Sequence, residues 1–225
     1  MVVNELDPLA KLSGLPEISR KSIFKALSHK AAGRRASREL GSDYEKLNLI
    51  VGHLGKSISV AAHEKGKVID VNNSVDGDGP FSLQKCGKLP VGDMIRLAFS
   101  GRYSREEIQF KLLKEGGVTS YLGVGEMKKI NQLIDSGNEN ARLIYEGMAY
   151  QTAKEIGACA AALKGKVDAV VLTGDLAADK RLVNWIKERI SFLGKVLVYP
   201  DDDEMLFLVQ GVLRILDKQE EVKTY

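Results

Sequence analysis

The sequence has few of the residues that mark several large classes of protein. Cys86 and Cys159 are its two cysteines, too few for a disulfide framework or a zinc cluster. Aromatic residues make up 6%, and 33 basic and 30 acidic residues are mixed along the chain without a basic block. A dedicated nucleic-acid surface is therefore not expected. Apolar runs fall short of the ~20 residues of a membrane span, and the N-terminus lacks the regions of a signal peptide. These absences predict a cytoplasmic protein that binds neither membranes nor nucleic acid.

The composition is that of an ordinary globular protein. Hydrophobic residues make up 44% of the 225 positions and charged residues 28%, which suffices for one large domain or two small ones. The first half predicts a helix over residues 17–40 and a three-strand meander over residues 47–72. Residues 74–90 are too rich in glycine, proline and acids for regular structure, and a loop this long is usually functional.

The second half of the sequence alternates between helical and strand patterns. Short helices are predicted within residues 91–135, one of them with a capping box of Ser104 and Glu107, followed by a long helix over residues 138–163. The apolar run VDAVVLTG predicts a buried strand, and it is followed by a helix, the strand KVLVYP and a last helix at about residues 203–217. This order predicts an α/β fold.

One motif in the meander is misleading. The stretch IVGHLGKSISV contains Gly55-Lys56-Ser57, the ending of a P-loop, but Ile50 stands where that pattern needs a glycine. A P-loop also continues into a helix, whereas the residues that follow predict strands. The P-loop interpretation is therefore rejected, and His53 to Ser57 is predicted as a turn.

Single residues give weaker signals. His53 is either a turn or core residue or, with the turn N–H groups, part of an anion site; His29 and His63 are expected to be structural or solvated. The loop from Asp76 to Pro80 is more typical of a turn than of a metal site. Gly174 ends a strand before a helix, where ligands bind in α/β sheets. The acids at residues 201–204 suit a helix N-terminus.

Taken in order, several blocks resemble butyrate kinase, a family of the acetate/butyrate kinase group in the sugar kinase and actin superfamily. These blocks are VGHLG, KGKVIDVNNSVDGDGPFS, LPVGDMIRLAFSGRYSREEI, YEGMAYQTAKEIGACAAALKGKVDAVVLTG and VYPDDDEM. The resemblance covers essentially the whole chain. It implies a ribonuclease-H-like, actin-like ATPase lobe with a mixed sheet flanked by helices.

The resemblance also implies an activity and a set of site residues. The family transfers a phosphoryl group between ATP and a short-chain carboxylate, with magnesium, between two lobes. By this resemblance VGHLGKS is the phosphate hairpin of the second lobe, and His53 matches a histidine expected to stabilise the transferred group. The implied catalytic residues are His53 and Lys85, the implied metal residue is Glu204, and the implied nucleotide residues are Gly55, Lys56, Ser57, Gly174, Asp175 and Leu176.

The chain also departs from the family pattern. The opening hairpin N-P-G-S-T-S-T-K is not matched, and the glycine triplet of the second hairpin has become Gly55-Lys56-Ser57. Lys85 replaces the catalytic arginine, and an ammonium does not reproduce a bidentate guanidinium. Asp175 replaces the last glycine of a T-G-G loop, where a carboxylate repels phosphate.

These departures lead to three hypotheses. Residues 1–46 are predicted as a helical segment that connects to an absent first lobe, and residues 47–225 as the second lobe. The chain is then a butyrate-kinase-type enzyme whose first lobe is supplied by another chain or missing from this sequence. Alternatively it is a non-catalytic remnant that acts in protein interaction, or a regulator that binds nucleotide without turnover. Exposed apolar surface near the N-terminal helix and residues 204–216 is expected to support a homo-oligomer or the binding of a first-lobe chain.

Overall fold

The computed structural model describes residues 5–200 and residues 209, 212, 213, 216 and 217. Its strands form one mixed sheet in the order β3-β2-β1-β4-β5. β1 to β3 are antiparallel neighbours, whereas β4 and β5 run parallel to β1. The α/β fold class and the meander are thereby confirmed. The strands are β1 Asn48–Leu54, β2 Ile58–Glu64, β3 Lys67–Val71, β4 Ala169–Thr173 and β5 Val196–Tyr199.

Residues 5–200 form seven α-helices, and most of them lie where the sequence predicts helices. The capping box of Ser104 and Glu107 is present at the start of α3, and the Asn138 side chain caps α6. The helices are α1 Ala26–Glu39, α2 Val91–Ala98, α3 Arg105–Leu113, α4 Gly117–Leu122, α5 Met127–Asp135, α6 Glu139–Ala162 and α7 Lys180–Ile190.

Helices cover both faces of the sheet because successive strand residues point to opposite sides. The even-numbered residues of β1, such as Ile50, share a hydrophobic cluster with α6 and α7. Odd-numbered residues, such as Leu49 and Val51, pack with Ala32 and Ala36 of α1. The two layers bury β1 and β4 in the middle of the lobe.

The N-terminal helix is shorter than predicted, because α1 begins at Ala26 and not near residue 17. The backbone before it makes bonds elsewhere. The Ile23 carbonyl accepts hydrogen bonds from the Ser74 backbone N–H and hydroxyl, and the Phe24 side chain is buried. Of residues 17–25, Ser22 and Phe24 are buried whereas Ile18 is 58% exposed, so the apolar spacing of this stretch does not form a helix face. Since α1 packs on the sheet, it forms a layer of this lobe, and its connection to a further lobe stays a prediction.

The end of the chain is described only in part. Residues 209, 212, 213 and 216 are helical, which agrees with the predicted last helix at those positions. Most of that helix, together with the acids at 201–204, lies outside the described residues. Of the helices in the described ranges, none has the length and apolarity needed to span a bilayer.

Candidate functional site: two loops at the carboxyl edge of the sheet

The candidate site lies where β1 and β4 end side by side. The two strands are parallel neighbours, and His53 of β1 is in register with Thr173 of β4. The hairpin of residues 55–57 and the loop of residues 174–179 therefore leave the sheet at the same edge. Ligands of open α/β sheets bind at this edge.

Gly174 shows how closely the two loops approach. Its φ of 91° lies in the region that L side chains rarely adopt. A Cβ added there would lie 2.5 Å from the Leu54 carbonyl oxygen and 3.1 Å from the His53 Nε2 atom. The position therefore needs glycine both for its backbone conformation and for the contact. The structure thus brings together two segments that are about 120 residues apart in the sequence.

The His53 side chain lies beneath both loops and is 3% exposed. A Cβ added at Gly55 would lie 2.9 Å from its Cε1 atom, so the ring also contacts the hairpin. The ring stacks on that of His29 with centroids 6.4 Å apart. This placement favours the core interpretation of His53 in this state. The imidazole supports the two loops from below and is covered by them.

Lys56 and Ser57 lie at the tip of the hairpin. Gly55 is buried, whereas Lys56 is exposed and Ser57 is half-buried. The backbone carbonyl of Lys56 accepts a 2.7 Å hydrogen bond from the Ser82 hydroxyl. The Lys56 ammonium therefore faces solvent while its backbone is fixed by the neighbouring loop.

Lys85 is connected to the hairpin through the Ser82 hydroxyl, which also binds Lys56. Its backbone N–H donates to the Ser82 hydroxyl at 3.2 Å, and its Nζ atom donates to the Ser74 carbonyl at 3.1 Å. Partial burial, followed by repulsion from Lys114, lowers the pKa of Lys85. The ammonium at this position is thus engaged with the backbone of the long loop.

The remaining predicted residues lie at different depths. Asp175 is exposed at the start of a 3-10 helix, Asp175–Ala178, immediately after Gly174. The Leu176 side chain is 4% exposed and belongs to the core. Glu204 lies outside the described residues. Within residues 5–200 and the few described beyond them, no group of three His, Cys, Asp or Glu residues could hold a metal ion.

The acidic loop before Lys85 is held by its own side chains. Asp76 and Asp78 accept hydrogen bonds from the side chain and backbone of Asn73, at 2.7 and 3.1 Å. The buried Asn72 amide accepts from Val60 N–H and donates to the Asp78 carbonyl. The carboxylates of this loop are thus used in its turns, in agreement with the prediction of a turn.

A polar network behind the Gly174 loop was missed in the sequence. Asp179 caps α7 through Oδ1, and its Oδ2 atom accepts from Asn131 at 2.6 Å and from the Tyr145 hydroxyl at 2.8 Å. Burial, followed by the charge of Asp179, raises the pKa of Tyr145, so that its hydroxyl remains a donor. Arg181 donates to Asn131 at 2.6 Å and closes the network. An aspartate before a helix predicts the cap, but partners from α5 and α6 require the fold.

Comparison with known proteins agrees with this architecture. Residues 17–205 match the model of the acetokinase family. The chain belongs to the acetokinase family. An acetate kinase from Porphyromonas gingivalis is similar in structure, with a TM-score of 0.83 and 25% identity over 93% of this chain. A propionate kinase from Francisella tularensis has a TM-score of 0.80 and 22% identity over 91% of this chain. An acetate kinase from Entamoeba histolytica has a TM-score of 0.79 and 20% identity over 92% of this chain.

This acetokinase chain is shorter than those three structures. It covers 61%, 60% and 62% of their respective chains. The 225 residues therefore span less than two thirds of the proteins they match.

Proposed function

We propose that this acetokinase chain is the nucleotide-binding lobe of a carboxylate kinase that uses a short-chain fatty acid such as butyrate. The observation that carries the proposal is the contact between the hairpin and Gly174, which places two glycine-containing loops at one edge of the sheet. Butyrate is favoured over acetate by the resemblance of DVNNSVDGDGPFS and YEGMAYQTAKEIGACAAAL to butyrate kinase.

The geometry fits the phosphates of a nucleotide in most respects. The missing Cβ atoms of Gly55 and Gly174 point at His53 and Leu54 and let the two loops pack closely. In this proposal, backbone N–H groups of the two turns face the phosphates from the edge of the sheet. The exposed Lys56 ammonium adds positive charge at the hairpin tip. Asp175 is the residue that disagrees, because its carboxylate repels the same phosphates. ATP or ADP is therefore expected to bind weakly, with adenosine near Gly174.

Magnesium fits this lobe less well than nucleotide does. The described residues hold no cluster of acidic or histidine ligands, and Glu204 is the one carboxylate that the family pattern assigns to the ion. When bound with ATP, the ion neutralises phosphate charge. Among the described residues of the lobe, Lys56 also contributes positive charge that neutralises the phosphates.

In this proposal, His53 supports the two loops and Lys85 supplies a positive charge beside them. The His53 ring sets the spacing of the two loops, and it contacts a transferred phosphoryl group only if they separate. Lys85 supplies a point charge from the long loop, where the family has a bidentate arginine. Because the ammonium also binds the Ser74 carbonyl, transfer through Lys85 has to compete with that bond.

The bond between Lys85 and Ser74 also favours a second candidate function. A lobe whose ammonium stays on a backbone carbonyl binds nucleotide without turning it over. Transfer in the first proposal needs the remainder of the kinase, within a longer chain or in a separate one. In the second proposal, the chain acts as a nucleotide-responsive interaction module.

A hydroxamate assay of acyl phosphate formation separates the two functions. With ATP, magnesium and butyrate, we expect the 225-residue chain to turn over far more slowly than a complete kinase. Lys85→Arg is expected to raise the rate by restoring a bidentate donor, whereas Lys88→Arg in the same loop serves as a matched control and leaves it unchanged. Magnesium-dependent activity that is robust in the unaltered chain and lost in His53→Ala would contradict the expected impairment. An inactive Lys85→Arg variant that still binds ADP would favour the second function.

A further inference from the structure

Lys85 places an amine in the candidate site, and an amine can do chemistry that a guanidinium cannot. A guanidinium stays protonated in proteins, so an arginine at this position would only donate hydrogen bonds. A lysine loses its proton at a pH that depends on its surroundings, and the neutral amine is a nucleophile. The side chain of Lys85 therefore adds a reactive group to the site, provided that the surroundings favour the neutral form.

The surroundings of Lys85 do favour the neutral amine. The residue is half-buried, and burial disfavours the ammonium because a charged group loses its hydration. Burial first, and then repulsion from Lys114, lower the pKa of Lys85, and the negative charge of Asp76 offsets them only in part. Desolvation and a neighbouring cation are the two conditions that activate lysines for attack on carbonyl groups.

Hydrogen bonds hold Lys85 in place at both of its ends. Its Nζ atom donates to the Ser74 backbone carbonyl at 3.1 Å, and its backbone N–H donates to the Ser82 hydroxyl at 3.2 Å. The same hydroxyl donates to the Lys56 carbonyl at the tip of the hairpin. A neutral amine still has N–H groups, so it keeps the bond to Ser74 while its lone pair points elsewhere. The nucleophile is thus fixed in a loop that is bound to the hairpin.

We propose that Lys85 accepts the acyl group of an acyl phosphate, the mixed anhydride that a carboxylate kinase forms from its acid. The inference rests on the proposed function, in which Lys85 supplies a positive charge beside the transferred phosphoryl group. In an acyl phosphate, a single oxygen atom separates that phosphorus from the carbonyl carbon. An amine that approaches the phosphoryl group therefore also approaches the carbonyl carbon.

The step is a simple acyl transfer. The amine nitrogen attacks the carbonyl carbon, and a C–N bond forms. The C–O bond to the phosphate breaks, and the phosphate leaves with the electron pair of that bond. The nitrogen gives up one proton, which the leaving phosphate takes, and nothing is oxidised or reduced. The product is an amide without charge, so acylation removes the cation that Lys85 contributes to the site.

Cys86 is the neighbouring nucleophile in the sequence. It is also half-buried, and burial raises the pKa of its thiol, which disfavours the reactive thiolate. Lys85 is therefore expected to react in preference to Cys86. The two products differ chemically, because hydroxylamine cleaves a thioester at Cys86 but leaves an amide at Lys85 intact.

Peptide mapping by mass spectrometry tests the proposal on the 225-residue chain. After incubation with butyryl phosphate, Lys85 is expected to gain one butyryl group at least about tenfold faster than the exposed Lys166, since a bound reactant lies beside the nucleophile. The label should survive hydroxylamine. Lys85→Arg should lose the fast label and keep the slow label at Lys166. Equal rates at the two lysines, or a fast label that hydroxylamine removes, would overturn the proposal.

An uncharged reagent tests whether the phosphate group directs the reaction. p-Nitrophenyl butyrate carries the same acyl group without a phosphate. Its preference for Lys85 over Lys166 should be smaller than that of butyryl phosphate, because the positive charges of Lys56 and Lys114 attract only the anion. An equal preference with both reagents would mean that Lys85 is reactive without binding an acyl phosphate, and this would contradict the proposal.

Nucleotides distinguish this inference from the proposed function. ATP without magnesium should slow the labelling of Lys85, because its terminal phosphate takes the place of the phosphoryl group of butyryl phosphate. AMP lacks that phosphate, so it is the matched control and should leave the rate unchanged. Fast labelling of Lys85 that ATP does not slow would contradict the placement of nucleotide and leave the acylation of Lys85 standing. Calorimetric binding of ADP by a chain whose Lys85 reacts no faster than Lys166 would contradict the acylation and leave the proposed function standing.

Discussion

At the scale of single residues, Gly174 carries the strongest constraint in the candidate site. It combines a positive φ with a would-be Cβ contact of 2.5 Å to the backbone of Leu54. Gly165 has a φ of 74° but nothing within 4 Å of its would-be Cβ. Substitutions at these two glycines therefore distinguish the cost of backbone strain, which both share, from the cost of steric overlap between the loops, which only Gly174 has.

We predict that Gly174→Ala destabilises the lobe more than Gly165→Ala does. The control should lose on the order of 1 kcal/mol through strain alone. Gly174→Ala should lose about 2–4 kcal/mol because the Leu54 carbonyl and the His53 ring must also move. Urea unfolding of both variants measures the difference. Equal losses would mean that the contact between the loops contributes nothing.

All three histidines of the chain are buried in one stack beneath the hairpin. The His29 and His63 rings are nearly parallel, 6° apart, with centroids separated by 5.8 Å. The Tyr44 hydroxyl lies 2.6 Å from His63 Nδ1, and Ser59 Oγ lies 2.8 Å from His29 Nε2. Burial, followed by the charges of Lys30 and Arg34, lowers the pKa of His63 to about 3. His29 and His63 are thus structural and not solvated.

The low pKa of His63 predicts how stability depends on pH. Between pH 6.5 and about 3 the unfolded chain binds a proton at His63 that the folded chain excludes. The free energy of unfolding should therefore fall as the pH drops below 6.5, by about 1.4 kcal/mol per pH unit from this group. His63→Gln should flatten the slope between pH 7 and 5, while Tyr44→Phe keeps the titrating ring and should keep the slope. Urea midpoints at pH 7, 6 and 5 decide this, and an unchanged slope in His63→Gln contradicts the assignment.

At the scale of elements, the sequence predicted the strands and most of the helices well. β4 reads as a continuous apolar run because both of its faces are buried. The caps at Ser104 and Asn138 are local signals, and both are present. Residues 17–25 misled because their apolar residues have helical spacing, although the backbone there is irregular and most of the side chains are exposed. The register of His53 with Thr173 is a long-range property that no local pattern contains.

The Asp179 network links three helices to the Gly174 loop, and its removal should be costly. We predict that Asp179→Ala lowers the free energy of unfolding by about 2–4 kcal/mol. The reason is that it removes the cap of α7 and leaves the buried Tyr145 hydroxyl without its acceptor. Asp175→Ala is the matched control on the same loop, since that carboxylate is exposed. Chemical denaturation compares the two, and similar small losses would show that the network does not hold the loop.

At the scale of the whole molecule, the described residues form one mixed sheet flanked by helices, and large apolar side chains are exposed in three parts of the chain. In the N-terminal segment these are Leu9, Leu12, Leu15 and Ile18, and in the described part of the last helix they are Val209, Val212, Leu213 and Leu216. The sequence led us to expect exposed surface there. A third set, Val91, Ile95, Phe99 and Phe110, lies on and beside α2 and α3. It was not foreseen, because an amphipathic helix pattern does not reveal whether its apolar face is covered. Glycine-containing loops and family resemblance suggested the candidate site, and its binding of nucleotide stays a prediction. The depth of His53 and the bond of Lys85 are properties of the fold that no local pattern contains.

Calorimetric titration with ADP tests the central claim, that the two loops at the sheet edge bind nucleotide. We predict weak binding by the unaltered chain and tighter binding by Asp175→Gly, because that change removes a negative charge beside the phosphates. The gain should shrink as salt is raised, since the exposed carboxylate is screened. Asp168→Gly, a change of the same kind at the opposite end of β4, is the control and should leave the affinity unchanged. Tight ADP binding that Asp175→Gly does not alter, or no binding by either protein, would contradict the account.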